Sequence, residues 1–256
     1  MIPPNSHIGI VGYGNVGSHL SQILANNPGV ELSVYNRSSR DQQQSFPNVQ
    51  WVQHLGELAS ASTIILSVSD DAIETVAKEL RLQLHSNPLV CHTAGSVESD
   101  VLAPYFKRYG VLYPLQTFSI HKPLRDWEFP VFITASSKEI RENLRQLADW
   151  ISPHVHEIDD QQRLALHIAA VFVCNYTNIL YTVGQKICQD HHLDFKYLIP
   201  LIDETAEKLH SLSPKEAQTG PAIRGDREVL MKHMAFLQNY DADLKDLYQK
   251  FASLVH

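Results

Sequence analysis

Gly12-Tyr13-Gly14-Asn15-Val16-Gly17 forms a G-x-G-x-x-G run, and its flanks decide what chemistry it can do. Before it, Ile8, Ile10 and Val11 make a short apolar run of the buried-strand type. After it, Val16, Leu20, Ile23 and Leu24 recur at helical spacing, which predicts a helix starting near Asn15. In such a strand–turn–helix, the first glycine permits the tight turn and the second lets backbone approach a pyrophosphate. The third lets helix and strand pack closely. Unpaired N–H groups at the start of the helix, with the positive end of its dipole, then face the phosphates. The six residues from Gly12 to Gly17 are therefore candidate dinucleotide ligands; the bland alternative is a turn that serves structure alone.

A second strand, Val30 to Asn36, runs into Arg37-Ser38-Ser39-Arg40. Roughly 20 residues past the glycines is where an acidic side chain would hold the ribose hydroxyls of NAD. Asn36, Arg37 and Ser38 stand there instead. A guanidinium beside a hydroxyl suits a 2′-phosphate through charge-assisted hydrogen bonds, which favours NADP(H) over NAD. Two further strand ends, Ser67-Val68-Ser69 and Thr93-Ala94-Gly95, should border the same crevice. Ser69 or Asp70 is also the expected cap of the helix after it. His92, at the end of its strand, reads as a buried and satisfied histidine before an acid or base. The segment Pro114 to Ser119 is long enough to reach over the crevice.

The second half offers fewer reactive groups. At 100° per residue, Arg163, His167, Cys174, Asn178, Thr182 and Gln185 fall on one polar stripe of an otherwise apolar helix. Such a helix should be largely buried, its stripe facing water or a hydrated cleft. His167 is the leading proton donor or acceptor, since an unperturbed imidazole titrates nearest neutrality. Asn175 sits off the stripe as a lesser candidate. Arg224, in a loop before a helix, is a candidate anchor for a substrate carboxylate or phosphate, with Asp226 as the natural N-cap. His154-x-His156 and His191-His192 lack a third ligand, so no metal site is expected. No G-x-S-x-G occurs, and no cysteine has an evident partner for nucleophilic catalysis.

The elements that must position these groups are set by the hydrophobic pattern. Apolar strand runs recur at Val49–Val52, Thr63–Val68, Leu89–His92, Gly110–Tyr113, Val131–Ala135 and His154–Ile158. Helices are expected at 73–80 and 138–151. From Asp159 the pattern turns helical, near 160–190, 194–212, 226–238 and 241–255, with Pro200, Pro214 and Pro221 as punctuation. The predicted architecture is a doubly wound, mostly parallel α/β sheet over residues 1–158, followed by an all-helical domain over 159–256. Among 256 residues the formal net charge is −7, which argues against a nucleic-acid surface. Three cysteines without C-x-x-C spacing suit a reducing compartment. A first strand so near the start leaves no room for a signal peptide, and the apolar window Leu164–Val183 reads as a buried helix with no membrane span. A soluble cytoplasmic protein is expected.

Several motifs together resemble a known group. They are the Asn36-Arg37-Ser38 after the second strand, His92-Thr93-Ala94-Gly95-Ser96, and Pro114-Leu115-Gln116-Thr117-Phe118-Ser119. His167 with Asn175-Tyr176, and Thr219-Gly220-Pro221 with Arg224-Gly225-Asp226, complete the set. The chain resembles the bacterial Rossmann-like proteins that carry a helical C-terminal domain of unknown function and are described as candidate NADP oxidoreductases. The wider relatives include pyrroline-5-carboxylate reductase and deazaflavin-dependent NADP oxidoreductases. The resemblance implies bound NADP(H), a small-molecule substrate and a homodimer through the helical domain. One departure is Tyr113, where the group often carries histidine. The expected function is hydride transfer to or from a small polar carbonyl, imine or deazaflavin; the alternative is a non-catalytic NADP-binding sensor or a dimeric interaction protein.

Overall fold

The computed structural model describes residues 6–37, 48–122, 124 and 127–255. Contacts divide the chain into two units, Met1–Asn178 and Ile179–His256. The change from strands to helices comes earlier, after Glu157, so the first unit also holds the opening turns of the helical segment.

The first unit is built on an eight-stranded sheet of order β3-β2-β1-β4-β5-β6-β7-β8. Its strands are β1 (Ser6–Val11), β2 (Val30–Tyr35), β3 (Val49–Val52), β4 (Thr63–Leu66), β5 (Leu89–His92), β6 (Tyr109–Pro114), β7 (Val131–Ala135) and β8 (Val155–Glu157). Every pairing is parallel except β6 with β7. Three helices cover it: α1 (Asn15–Ala25), α2 (Ile73–Gln83) and α3 (Lys138–Asp149). The central strands β4 and β5 are buried at every position because both sheet faces are covered there, while Glu31 of β2, Gln50 of β3 and His156 and Glu157 of β8 are exposed towards the sheet's margins. Ile65 packs with Leu20, Leu24, Leu144 and Leu147 on one face, while Ile64 and Leu66 pack with Ile73, Ala77 and Leu80 on the other. Strand order reverses between β1 and β4, which opens a crevice at their carboxyl ends.

The expected cap before α2 is not made by Ser69 or Asp70. A short 3₁₀ turn, Asp70–Ala72, precedes the helix, neither side chain caps it, and the Ser96 hydroxyl donates to the Asp70 carboxylate instead.

After β8 come α4 (Asp160–Ala170), a π-helical stretch (Val171–Tyr176) and α5 (Thr177–Asp190). Asp159 opens the run with a reciprocal cap, its carboxylate accepting from the Gln162 N–H at 2.7 Å. This run departs from its sequence reading twice. It is not buried: Phe172 and Val173 are 63% and 74% exposed, and only Arg163 and Cys188 along it are buried. By length and composition the run is apolar enough to cross a membrane. Nor does the polar stripe continue, because each π turn takes in one residue more than an α turn and rotates the later residues about the axis. Arg163 and His167 lie before that break and face the sheet's end; Asn178, Thr182 and Gln185 lie beyond it and are exposed.

In the second unit the remaining elements are α6 (Ile199–Glu207), α7 (Pro214–Ala217), α8 (Pro221–Arg224), α9 (Arg227–Tyr240) and α10 (Ala242–Leu254). Pro200, Pro214 and Pro221 each sit in a first turn, where the missing N–H costs nothing. Helices α9 and α10 pack together and share a hydrogen bond between His233 Nδ1 and the Tyr248 hydroxyl at 2.8 Å. The Tyr240 hydroxyl donates to Asp190 at 2.5 Å, closing the end of α5 onto α9.

Candidate functional site

The glycine turn sits at the crevice. Gly12 has φ +102°, a conformation that favours glycine, and a β-carbon there would overlap the Ser67 carbonyl oxygen. A β-carbon on Gly17 would overlap the Gly12 carbonyl, so helix and turn touch only because both residues lack side chains. Gly14 meets nothing within 4 Å, and it occupies the N-cap position of α1 without a side-chain cap. No acidic residue stands in the first turn. The space that a side chain on Gly14 would enter is thus left open before an uncompensated helix start, which fits a pyrophosphate. Asn15 and Val16 lie in that first turn; Asn15 also turns its side chain outward to accept from the Ile120 N–H at 3.0 Å. The segment after β6 therefore does reach α1, where Phe118 packs on the His19 ring at 5.1 Å between centroids.

At the end of β2, the Asn36 side chain accepts a hydrogen bond from the Tyr13 N–H at 3.3 Å and so ties that strand end to the glycine turn. The Tyr13 ring meets Trp51 edge-on at 4.8 Å. Arg37 comes next, exposed; Ser38 lies outside the described residues. Ser67 is buried, Val68 half-buried and Ser69 exposed, and the Ser67 N–H donates to Val11 at 2.8 Å, which joins the ends of β1 and β4.

Beyond β4, Thr93, Ala94 and Gly95 leave β5, the Thr93 N–H donating to Leu66 at 3.2 Å. His167 lies directly on this turn: a β-carbon on Gly95 would stand 2.5 Å from its Nδ1. The same Nδ1 is hydrogen-bonded to the Tyr113 hydroxyl at 3.1 Å, with the two rings edge to face at 6.0 Å. Tyr113, the penultimate residue of β6, is buried, and burial raises the pKa of its phenol. His92 beneath is fully buried, its Nδ1 accepting from the Ala94 N–H at 3.2 Å and its Nε2 donating to the Glu98 carbonyl at 3.4 Å. Burial, with the Arg163 charge, lowers its pKa to about 4. It is the structural histidine that its position suggested.

Arg163 holds α4 in place. Its side chain is 1% exposed, pairs with Asp160 at 2.6 Å, and donates to the Thr134 hydroxyl at 2.8 Å and to the Val97 carbonyl. Asp160 in turn accepts from the Ser99 hydroxyl at 2.8 Å and from the Ser99 N–H. Burial raises the Asp160 pKa, but the bonds from Ser99 and Arg163 outweigh it and hold the carboxyl below its ordinary value. One turn further along α4 stands His167, so this clamp fixes where the imidazole sits.

Asn175 is exposed within the π stretch. Arg224 is engaged by Asp226 at 2.8 Å, and this ion pair takes the carboxylate expected to cap α9, which has no side-chain cap. Among the described residues no group of three His, Cys, Asp or Glu could hold a metal. Sequence reasoning places no role on Tyr113 beyond noting it as a departure, and it misses the Asp160–Arg163 clamp, whose i,i+3 spacing is the available signal.

The sheet order and the glycine turn define a Rossmann-type protein. Residues 1–118 match the model of a Rossmann-like domain, and residues 129–254 match a domain of unknown function, DUF2520. The chain belongs to the family of Rossmann-like proteins with this C-terminal domain. A crystal structure from Bacteroides fragilis, described provisionally as an NADP oxidoreductase, is 34% identical over 99% of both chains, with a TM-score of 0.90. The imine reductase of Myxococcus stipitatus in complex with NADP+ is 13% identical over 97% of this chain and 92% of its own, with a TM-score of 0.70. Pyrroline carboxylate reductase of Plasmodium falciparum, with NADP bound, is 14% identical over 99% of both chains, with a TM-score of 0.61. Likeness at the identity of these last two shows the shared fold alone. No curated protein matches the chain.

Proposed function

We propose that the chain is an NAD(P)-dependent reductase that prefers NADPH and acts on a small polar carbonyl, imine or deazaflavin. The observation that carries this reading is that the carboxyl ends of the parallel strands carry both an open glycine cradle, between β1 and α1, and the His167 imidazole, against the turn after β5. The provisional description of the Bacteroides fragilis relative supports it. When bound, the dinucleotide supplies or accepts the hydride. The chain's own residues then do three things. Gly12 to Gly17 and the start of α1 hold the diphosphate. Arg37 meets the 2′-phosphate, while Ser67 to Ser69 and Thr93 to Gly95 line the ring. His167 gives or takes the proton that balances the hydride at the substrate oxygen or nitrogen. Arg224, already paired to Asp226, receives no part in this scheme.

The test is calorimetry with NADPH followed by its oxidation in the presence of small carbonyls, imines and a deazaflavin. Tight binding with turnover of one class supports the reading. Binding without turnover leaves the sensor, and no heat of binding removes both. We also propose a cytoplasmic homodimer. Three free cysteines suit the compartment, and the exposed apolar side of the 160–190 run, with Ile168, Phe172, Val173 and Tyr176 48–74% exposed, suits a second copy.

A further inference from the structure

His167 has two ring nitrogens, and the surroundings of the first decide which one can meet a substrate. Nδ1 is occupied: the Tyr113 hydroxyl is 3.1 Å away, and Gly95 lies so close on the same side that no side chain would fit between. Two separate elements, the end of β6 and the turn after β5, thus converge on one nitrogen of a residue supplied by a third element, α4. The hydroxyl can donate to a bare Nδ1 or accept from a protonated one, so it holds the ring in either charge state. Its ring is buried against Phe132 at 6.5 Å and cannot follow a rotating imidazole.

We infer that Tyr113 is a positioning residue: its hydroxyl holds Nδ1 of His167, so that Nε2 alone exchanges a proton with the substrate. The inference rests on the reductase reading and deepens it. In the reducing direction a protonated imidazole gives its Nε2 hydrogen to the substrate oxygen or nitrogen as hydride arrives at carbon. The neutral ring, still held at Nδ1, regains its proton from solvent. The net reaction takes up one hydride from the reduced dinucleotide and one proton from water. Burial raises the Tyr113 pKa, so the phenol keeps its own hydrogen throughout.

The experiment pairs Tyr113→Phe with ¹⁵N-histidine labelling, the His167 signals being assigned by their loss in His167→Gln. In the parent protein without cofactor, Nδ1 should show a hydrogen-bonded resonance. In Tyr113→Phe it should move to that of a nitrogen facing no donor, with the Nε2 resonance little changed. In turnover, kcat should fall roughly tenfold, below what proton transfer by a placed group contributes in full because the imidazole itself remains, while KM and NADPH affinity hold. An Nδ1 resonance that does not move, or a kcat that matches the parent, overturns the inference even if the parent is an active reductase. A parent that binds no NADPH and reduces nothing fails at the reductase reading itself, which the unlabelled protein reports separately.

Discussion

Gly95 and His167 are in contact so close that a β-carbon on the glycine would stand 2.6 Å from the imidazole Cγ and 3.0 Å from its Cβ. Neither the turn after β5 nor helix α4 can accept a methyl group there without moving. Gly95→Ala is therefore expected to push the imidazole off the Tyr113 hydroxyl. A displacement of about 1 Å at a reacting group costs on the order of 100-fold in rate, and overpacking costs about 1–3 kcal/mol in stability. Steady-state kinetics and thermal unfolding of the variant read both; a rate equal to the parent's would show that His167 is not where the chemistry happens.

Arg163 and Asp160 form the joint that sets this contact. Removing the guanidinium leaves the Thr134 hydroxyl, the Val97 carbonyl and the Asp160 carboxylate short of a partner. Arg163→Ala is expected to destabilise the protein by about 3 kcal/mol, the low end for breaking a buried pair, because Asp160 keeps some exposure and its Ser99 bonds. Asp160→Asn keeps one accepting oxygen, puts an amide N–H donor in place of the other and removes the charge, and should cost less than losing the guanidinium. Denaturant midpoints compare the two; equal losses would mean that the charge, and not the web of hydrogen bonds, holds α4.

The readable parts of this chain are those fixed by neighbours in sequence. Helix α1 begins at Asn15 as its spacing predicts, and β3 and β7 keep their predicted bounds, because glycine turns and alternating burial act over a few residues. The stripe on the 160–190 run fails beyond His167, since a count at 100° per residue assumes an unbroken α-helix and Val171–Tyr176 is π-helical. The exposed side of that run escapes the sequence for a different reason: apolar composition demands a cover, and sequence alone does not say whether that cover lies in the same chain. The partnership of Tyr113 with His167 spans 54 positions and exists only once β6 and α4 are docked. In the same way, Asp70 accepts from the Ser96 hydroxyl and caps no helix, through a contact between two strand ends.

Arg37, to which the proposed function gives the 2′-phosphate, stands just past the end of β2 and is exposed. A hydrogen bond to a charged group is worth about 1.5–3 kcal/mol, so Arg37→Ala should weaken NADPH roughly 10- to 100-fold and NADH hardly at all. Titration calorimetry with both cofactors checks this. Equal losses would place the guanidinium away from the 2′-phosphate.

His92 predicts a pH dependence that owes nothing to catalysis. Its pKa is lowered from 6.5 to about 4 in the folded protein, by burial first and by Arg163 second. The unfolded chain then binds a proton that the folded chain refuses between those two values, so stability is complete above about 6.5 and falls as the pH drops toward 4. The full loss is on the order of 3 kcal/mol. The Asp160 carboxyl, also held below its ordinary value, adds its own loss only at still lower pH. Thermal unfolding of the parent and of His92→Asn from pH 7.5 to 4 isolates the effect: the parent should lose stability across this range by more than the variant does.

The exposed side of the 160–190 run gives the last prediction. Phe172 and Val173 project from the π stretch at 63% and 74% exposure, with the Tyr176 ring edge-on to Phe172 at 5.2 Å. Leaving so long an apolar row in water is costly, at about 25 cal/mol for each Å². Two covers would suit it, a second copy or a lipid bilayer, and they separate by experiment. Light scattering should report twice 28.9 kDa at micromolar concentration. Val173→Lys places a charge within the row, so it loses the burial of one side chain and adds a desolvation cost. The dimer should weaken by about 100-fold or more, with the monomer keeping its fold by circular dichroism. A monomeric parent that pellets with lipid vesicles would mean that the row meets a membrane, and a dimer indifferent to Val173→Lys would mean that the copies join elsewhere.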